Sequence, residues 1–196
     1  TPAEIAPPEV GVITVEQSVR PQIRELPGRI APTRIAELRA RVSGIVTART
    51  FDQGSEVKQG DILYHLDPAP YEVELSAANA ALRKAQAVLE HEERQSVRVE
   101  SLVASKAASQ VQLETAQSNL QQARADVEAR KADVARAKLN LAYTTLKAPI
   151  SGRIGRALVT EGALVGQGEA THMATIQHLN SVYADFTQSV AELNQL

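Results

Sequence analysis

Four histidines, His65, His91, His172 and His178, are the side chains of this 196-residue chain best suited to ligate a metal or move a proton near neutral pH. Their spacing supports neither role. No His-Glu-x-x-His occurs, and His172 and His178 are not at a ligand spacing on a helix. With no cysteine in the chain, thiolate metal sites, thiolate nucleophiles and disulfides are excluded. Glu92 and Glu93 beside His91 form an acid–base cluster on paper, but such a cluster needs a cleft to shift its pKa values, and a solvated helical rod has none. The segment Gly152-Arg153-Ile154-Gly155 falls short of a dinucleotide fingerprint, and no Walker-type Gly-Lys-Ser follows a strand. The chemistry-bearing residues thus predict a non-enzymatic protein with no metal and no cofactor.

The elements that carry these residues are legible from composition. The chain is 43% hydrophobic but only 3% aromatic, so a large aromatic-anchored core is not expected. A formal net charge of -2 gives no electrostatic footprint for nucleic acid or an anionic membrane surface. No stretch approaches the roughly 20 apolar residues of a spanning helix, and no basic-then-apolar signal segment opens the sequence, which predicts a soluble, processed or trimmed chain. Three prolines within residues 1–9 predict an extended tether. Val10–Val15 and Ser18–Leu26 predict two short strands stopped by a Pro27-Gly28 turn, and Ser181–Gln188 predicts one more strand, with helix after it.

Between these ends lies an internal repeat. Gly44, Gly54 and Gly60 recur at a constant offset of 108 as Gly152, Gly162 and Gly168, and Ala40, Val42, Ser43, Val57 and Gln59 match Ala148, Ile150, Ser151, Val165 and Gln167. Each copy is a strand–turn–strand unit too small to bury its own apolar face, so the two must pack on each other. The interval Pro70–Leu141 has no glycine and predicts helix. Leu75, Leu82 and Leu89 with Ala78 and Ala85 mark a heptad seam on a first arm; Leu113, Leu120, Val127, Val134 and Leu141 with Ala116, Ala123 and Ala137 mark one on a second. The arms predict an antiparallel pair about 50 Å long. Glu92 and Arg130 interrupt the seam. The turn is expected within Ala104–Ala108, with Ser109 as N-cap and Gln112 completing a capping box.

On these residues the chain resembles the periplasmic adaptor, or membrane fusion, proteins of tripartite multidrug efflux pumps built around resistance-nodulation-division (RND) transporters, the AcrA/MexA-like branch. The resemblance is carried by ELPGRIAPTRIAEL (Glu25–Leu38), VSGIV (Val42–Val46), GSEVKQGDILYHLDPAPYE (Gly54–Glu72) and LAYTTLKAPISGRIGRALVTEGALV (Leu141–Val165), and extends over about residues 9–190. It implies an α+β fold: a lipoyl-like β-sandwich formed from two sequence halves, an inserted long antiparallel α-helical coiled-coil hairpin, and partial β-barrel strands at both ends. The implied divisions are 1–34 for the tether and first barrel strands, 35–69 for lipoyl-like half 1, 70–142 for the hairpin, 143–178 for lipoyl-like half 2, and 179–196 for the start of the barrel. Family members run to roughly twice this length, so the rest of the barrel, a membrane-proximal domain and a lipid-bearing cysteine would lie outside these residues.

The resemblance also implies partners and a site. The family's hairpin tip carries Arg, Leu and Ser at spacings of four and seven, which Arg98, Leu102 and Ser109 reproduce, with Lys106 between them to add charge. These residues are expected to bind a TolC-like outer-membrane channel, while the barrel and membrane-proximal domains would engage the inner-membrane RND transporter. Copies are expected to self-associate, six in the assembled pump, in the periplasm and anchored to the inner membrane in the full-length protein. A swinging-arm carrier role is not expected, because the hairpin occupies the turn that would present a lipoyl or biotinyl lysine, and Lys138 and Lys147 sit on a helix and a strand. The alternatives are an adaptor of an ATP-driven (ABC-type) exporter or type I secretion system, and a structural coiled-coil spacer.

Overall fold

The computed structural model describes residues 8–19, 25–166, 168 and 170–187. By compactness the chain divides into residues 31–183 and a second unit of 1–30 with 184–196. Among the described residues, eight strands and two helices follow in the order β1 (Gly28–Arg39), β2 (Gly44–Arg49), β3 (Glu56–Val57), β4 (Ile62–Leu66), α1 (Ala69–Ala104), α2 (Gln110–Ala142), β5 (Thr145–Lys147), β6 (Gly152–Ile154), β7 (Leu164–Val165) and β8 (His172–Phe186).

The strands form two four-stranded sheets, ordered β1-β8-β6-β3 and β5-β4-β2-β7. The internal repeat explains this order. Glu56–Val57 and Leu164–Val165 are the same repeat positions, and each pairs with the first strand of the other copy: Gly44 lies opposite Val165, and Val57 opposite Gly152. The two sheets are therefore related by a pseudo-twofold, and neither repeat completes a sheet alone. Loop geometry follows the same relation. Gly54 and Gly162 have φ of 81° and 84°, and Gly60 and Gly168 have 95° and 85°, left-handed conformations that favour glycine. The Gly54 N–H donates to the Ile154 carbonyl and the Gly162 N–H to the Val46 carbonyl, again equivalent bonds.

One core fills the space between the sheets, and it too is paired: Leu38 with Leu146, Ala40 with Ala148, Val46 with Ile154, Val57 with Val165 and Leu66 with Ala174 are all buried. Tyr64 and Phe51 supply its aromatic content, edge to face with centroids 5.3 Å apart. The Tyr64 hydroxyl donates to the Met173 carbonyl at 3.3 Å, and burial pushes its phenol above the ordinary tyrosine range.

Two strand expectations need correction. Val10–Val15 has no regular structure, and Val10, Val12, Ile13 and Val15 are 78–91% exposed; β-branched residues do not make a strand where no partner supplies ladder hydrogen bonds. Ser18 and Val19 likewise have no regular structure, and residues 20–24 of the second predicted strand lie outside the described residues. Gly28 does not end an element but opens β1. The strand expected at Ser181–Gln188 belongs to β8, which begins nine residues earlier at His172 and runs to Phe186. Gln188 and the helix expected after it lie outside the described residues.

Candidate functional site

The helix pair leaves the sheets where the two repeats meet. Strand β4 hands over to α1, and α2 returns to β5, which pairs antiparallel with β4. The ends of the pair are tied: the Leu66 N–H donates to the Thr144 carbonyl at 2.7 Å, and the Asp67 carboxylate accepts from the Ala69 N–H at 3.0 Å. Pro68 and Pro70 suit the first turn, where a missing N–H leaves no bond unmade. Two side chains brace the base from the sandwich: the Tyr71 hydroxyl donates to the Ser43 carbonyl at 2.6 Å, and the Arg41 guanidinium stacks 5.1 Å from the Tyr143 ring centroid.

From this base, α1 and α2, of 36 and 33 residues, extend about 50 Å. The expected heptad positions face inward, with Ala85, Ala116, Ala123, Val127, Val134 and Ala137 buried and the leucines half-buried. Alanine at these positions lets the axes approach closely. The seam continues beyond the predicted positions through Ser96 and Val99, both buried. Each lies seven residues past a seam position, Leu89 and Glu92, so the heptad itself was the signal for them. Arg130 sits half-buried on the seam with acids on its own helix, Asp126 and Asp133 each 3.3 Å away. Glu93 pairs across the helices with Arg124 at 3.5 Å.

At the apex, α1 ends in a Schellman arrangement: the Lys106 N–H donates to the Val103 carbonyl and the Ala107 N–H to the Leu102 carbonyl. The residue after the C-cap in this motif takes a left-handed conformation, usually as glycine. Here it is Lys106, with φ of 62°, at a cost of about 1 kcal/mol relative to glycine. Helix α2 then starts at Ser109, whose hydroxyl accepts from the Gln112 N–H at 3.3 Å while the Gln112 side chain accepts from the Ser109 N–H at 2.9 Å, a complete capping box. Ser109 is therefore occupied as a cap. Arg98 is exposed one turn before Leu102, which is 40% exposed although apolar. Neither Arg98 nor Lys106 forms an ion pair among the described residues. Arg98 and Leu102 thus stand in the last two turns of α1, Lys106 in the turn between the helices and Ser109 at the N-cap of α2.

The histidines do not converge. His172 Nε2 lies 3.1 Å from the Ala174 carbonyl and 3.0 Å from the Thr175 hydroxyl, His178 Nδ1 lies 3.2 Å from the Ser151 carbonyl, His65 stands in β4 opposite Thr145, and His91 is exposed on α1. Among the described residues no three His, Asp or Glu side chains are grouped to hold a metal ion. A shallow groove of about 370 Å³ crosses β3, β6 and β8 past Lys58, Arg153 and His178. Of the two polar groups there that could react, the Ser151 hydroxyl accepts from the Gln59 N–H at 2.8 Å and His178 Nδ1 lies against the Ser151 carbonyl.

The family model described as the RND MFP (membrane fusion protein) barrel-sandwich hybrid domain matches residues 34–177. The chain is 45% identical over 182 residues to the multidrug efflux pump subunit AcrA of Escherichia coli K12, covering 93% of this chain and 46% of AcrA. It is 43% identical over 189 residues to the multidrug resistance protein MexA of Pseudomonas aeruginosa, covering 96% and 46%. It is 42% identical over 189 residues to the antibiotic efflux pump periplasmic linker protein ArpA of Pseudomonas putida, covering 96% and 47%. The chain therefore spans about half the length of these relatives. Among solved structures it is similar to a MacA–MexA chimera containing the Pseudomonas aeruginosa MexA alpha-hairpin domain, with a TM-score of 0.58 at 29% identity over 85% of this chain and 54% of that one. The membrane fusion protein Spr0693 of Streptococcus pneumoniae shares the fold at a TM-score of 0.67 and 15% identity, over 86% and 72%.

Proposed function

Because the chain belongs to the RND membrane fusion protein family, we propose that it is the channel-reaching part of a periplasmic adaptor that joins an inner-membrane RND drug/proton antiporter to a TolC-like outer-membrane channel. In this reading the two sheets are the lipoyl-like sandwich, with halves at residues 35–69 and 143–178, and residues 70–142 are the coiled-coil hairpin. Residues 1–34 and 179–196 lead into and out of a barrel that, with a membrane-proximal domain, meets the transporter. The protein does no chemistry. It works in the periplasm, held to the inner membrane, and six copies set side by side would line a conduit.

The observation that carries the reading is the apex. A rod of about 50 Å, braced at its base by Tyr71 and Arg41, ends in an exposed apolar side chain, Leu102, with two nearby cations, Arg98 and Lys106, that form no ion pair among the described residues. A purely structural spacer has no use for that combination. Arg98 is suited to hydrogen-bond carboxylates or carbonyls at a partner's helix ends, Leu102 to fill an apolar recess, and Ser109, beyond its capping role, to bridge polar groups. The test is in cells that depend on the pump: Arg98→Asp and Leu102→Asp are expected to abolish drug efflux and channel co-purification without lowering expression. Wild-type efflux and co-purification in both variants would sink the docking role. Crosslinking to an ATPase subunit instead of a proton-driven transporter would move the chain to the other adaptor branch.

A further inference from the structure

We propose that Arg41, Val42 and Ser43 form a strut that sets the direction of the rod, with Arg41 and Tyr71 as its positioning residues. The inference rests on the docking reading above and adds what aims the apex at its partner. The chain joins the rod to the sandwich at two places, through Asp67 and Pro68 after β4 and through Tyr143 and Thr144 before β5, and these two strands lie side by side. Two attachments define a line, and rotation about that line is stopped only by contacts away from it. The bend between β1 and β2 supplies one to each helix. Its Ser43 carbonyl accepts from the Tyr71 hydroxyl in the first turn of α1 at 2.6 Å, and its Arg41 guanidinium lies 5.1 Å from the ring centroid of Tyr143, the C-cap of α2. On a rod of about 50 Å, a tilt of about 10° at the base carries the apex about 9 Å aside, more than the reach of a side-chain contact.

The internal repeat shows that this bend is specialised. At the offset of 108, Arg41 corresponds to Pro149 and Gly166 to Lys58. Gly166 has φ of 76°, whereas Lys106 is the one non-glycine residue with positive φ among the described residues, so Lys58 keeps an ordinary backbone. A Cβ on Gly166 would stand 2.5 Å from the Val42 carbonyl oxygen and 3.0 Å from the Ser43 Cα. Glycine therefore lets the backbone at 166 press directly on the bend. The contact is also bonded: the Ser43 hydroxyl donates to the Gly166 carbonyl at 2.7 Å, and the Gly166 N–H donates to the Thr171 hydroxyl at 3.0 Å. In the other copy the matching carbonyl, of Ser151, faces His178 Nδ1 of β8 at 3.2 Å, and no rod leaves there. That copy builds its half of the sandwich without the arginine or the close glycine. The departures from the pseudo-twofold thus fall where the rod emerges, which ties them to the rod and not to the sandwich.

The test uses the full-length adaptor with pairs of spin labels on introduced cysteines, Gln117→Cys on α2 with either Glu56→Cys on β3 or Lys147→Cys on β5, all at exposed positions. Electron–electron distance measurements on the two pairs read the direction of the rod without any channel present. Tyr71→Phe and Arg41→Ala combined leave the sandwich core and the helix seam untouched, so helicity should stay at the wild-type level. Both distance distributions should widen by about 5 Å or more, as the tilt above requires. Affinity for a purified TolC-class channel in detergent should fall about three- to tenfold, since a rod that is no longer aimed must be ordered on binding. Wild-type distributions in the combined variant, or widened ones with wild-type channel affinity, overturn the inference and leave the docking reading standing, provided Leu102→Asp abolishes binding. Normal binding by Leu102→Asp would sink the docking reading and the inference with it.

Discussion

Gly44 and Gly152 occupy the same place in the two repeats, yet replacing each by alanine should have very different effects. A Cβ on Gly152 would lie 2.3 Å from the Gln177 carbonyl oxygen, 2.8 Å from its carbon and 3.2 Å from the His178 Cα. Unstrained carbon–oxygen approaches are about 3.3 Å or more, so β8 would have to retreat by about 1 Å. The obstacle is backbone, in the ladder where Arg153 faces Gln177 and Ile154 faces Ile176, and both isoleucines are fully buried. Overpacking that cannot be relieved by a rotamer change falls at the upper end of the usual range, about 3 kcal/mol. At Gly44 the nearest atoms are the Leu66 side-chain Cβ at 3.4 Å and Cδ1 at 3.6 Å, ordinary contact, so Gly44→Ala should change stability by less than about 1 kcal/mol. Urea denaturation followed in the near ultraviolet would report Tyr64 in the core and Tyr71 and Tyr143 at the helix base, rather than the helical backbone that dominates the far-ultraviolet signal. Gly152→Ala should lower the midpoint with an unchanged slope. Equal midpoints for the two variants would refute the close approach of β6 to β8.

Two further outcomes follow from single contacts. Burial raises the Tyr64 phenol above its unfolded value of 10.0, so the unfolded chain gives up that proton first; stability from this site is complete below about pH 10 and falls as pH rises further. Tyr64→Phe should remove this alkaline loss, read from denaturation midpoints between about pH 9 and 11, at a cost near neutrality of no more than about 1 kcal/mol for the 3.3 Å bond to Met173. Ser109→Ala should destabilise the start of α2 by about 1 kcal/mol, lowering the melting temperature, whereas Ser109→Asp, an equivalent cap, should hold it.

The repeat was legible because its main signals are physical requirements: glycine at the two loop positions of each copy where φ is positive, Gly54 and Gly60 with Gly162 and Gly168, and apolar residues where the pseudo-twofold axis faces them together. The exchange of partners, β2 with β7 and β3 with β6, was not, since two-residue strands carry no periodicity. Val10–Val15 misleads because β-branched composition reports suitability for a strand and says nothing of a neighbour. The start of β8 is masked by Gln177, His178 and Asn180, which break the apolar pattern in mid-strand. At the apex, the turn and the capping box follow from spacing, whereas the choice of Arg98, Leu102, Lys106 and Ser109 came only with the family resemblance. The conformation of Lys106 follows from neither, since lysine carries no signal for a left-handed backbone.

Because each repeat completes the other's sheet, the N-terminal half is an unfinished structure until the C-terminal half has been made, some eighty residues later. Closing a flexible loop of that length costs about 4 kcal/mol from the logarithmic dependence alone. Helices α1 and α2 change the problem: once zipped, they deliver Thr144 to within a hydrogen bond of Leu66, so the halves meet at high effective concentration. A chain whose rod fails to zip leaves two sticky half-sheets on a long leash, and in a crowded compartment the cheapest completion is a neighbour's matching half. Weakening the seam should therefore favour swapped dimers over a merely floppy monomer.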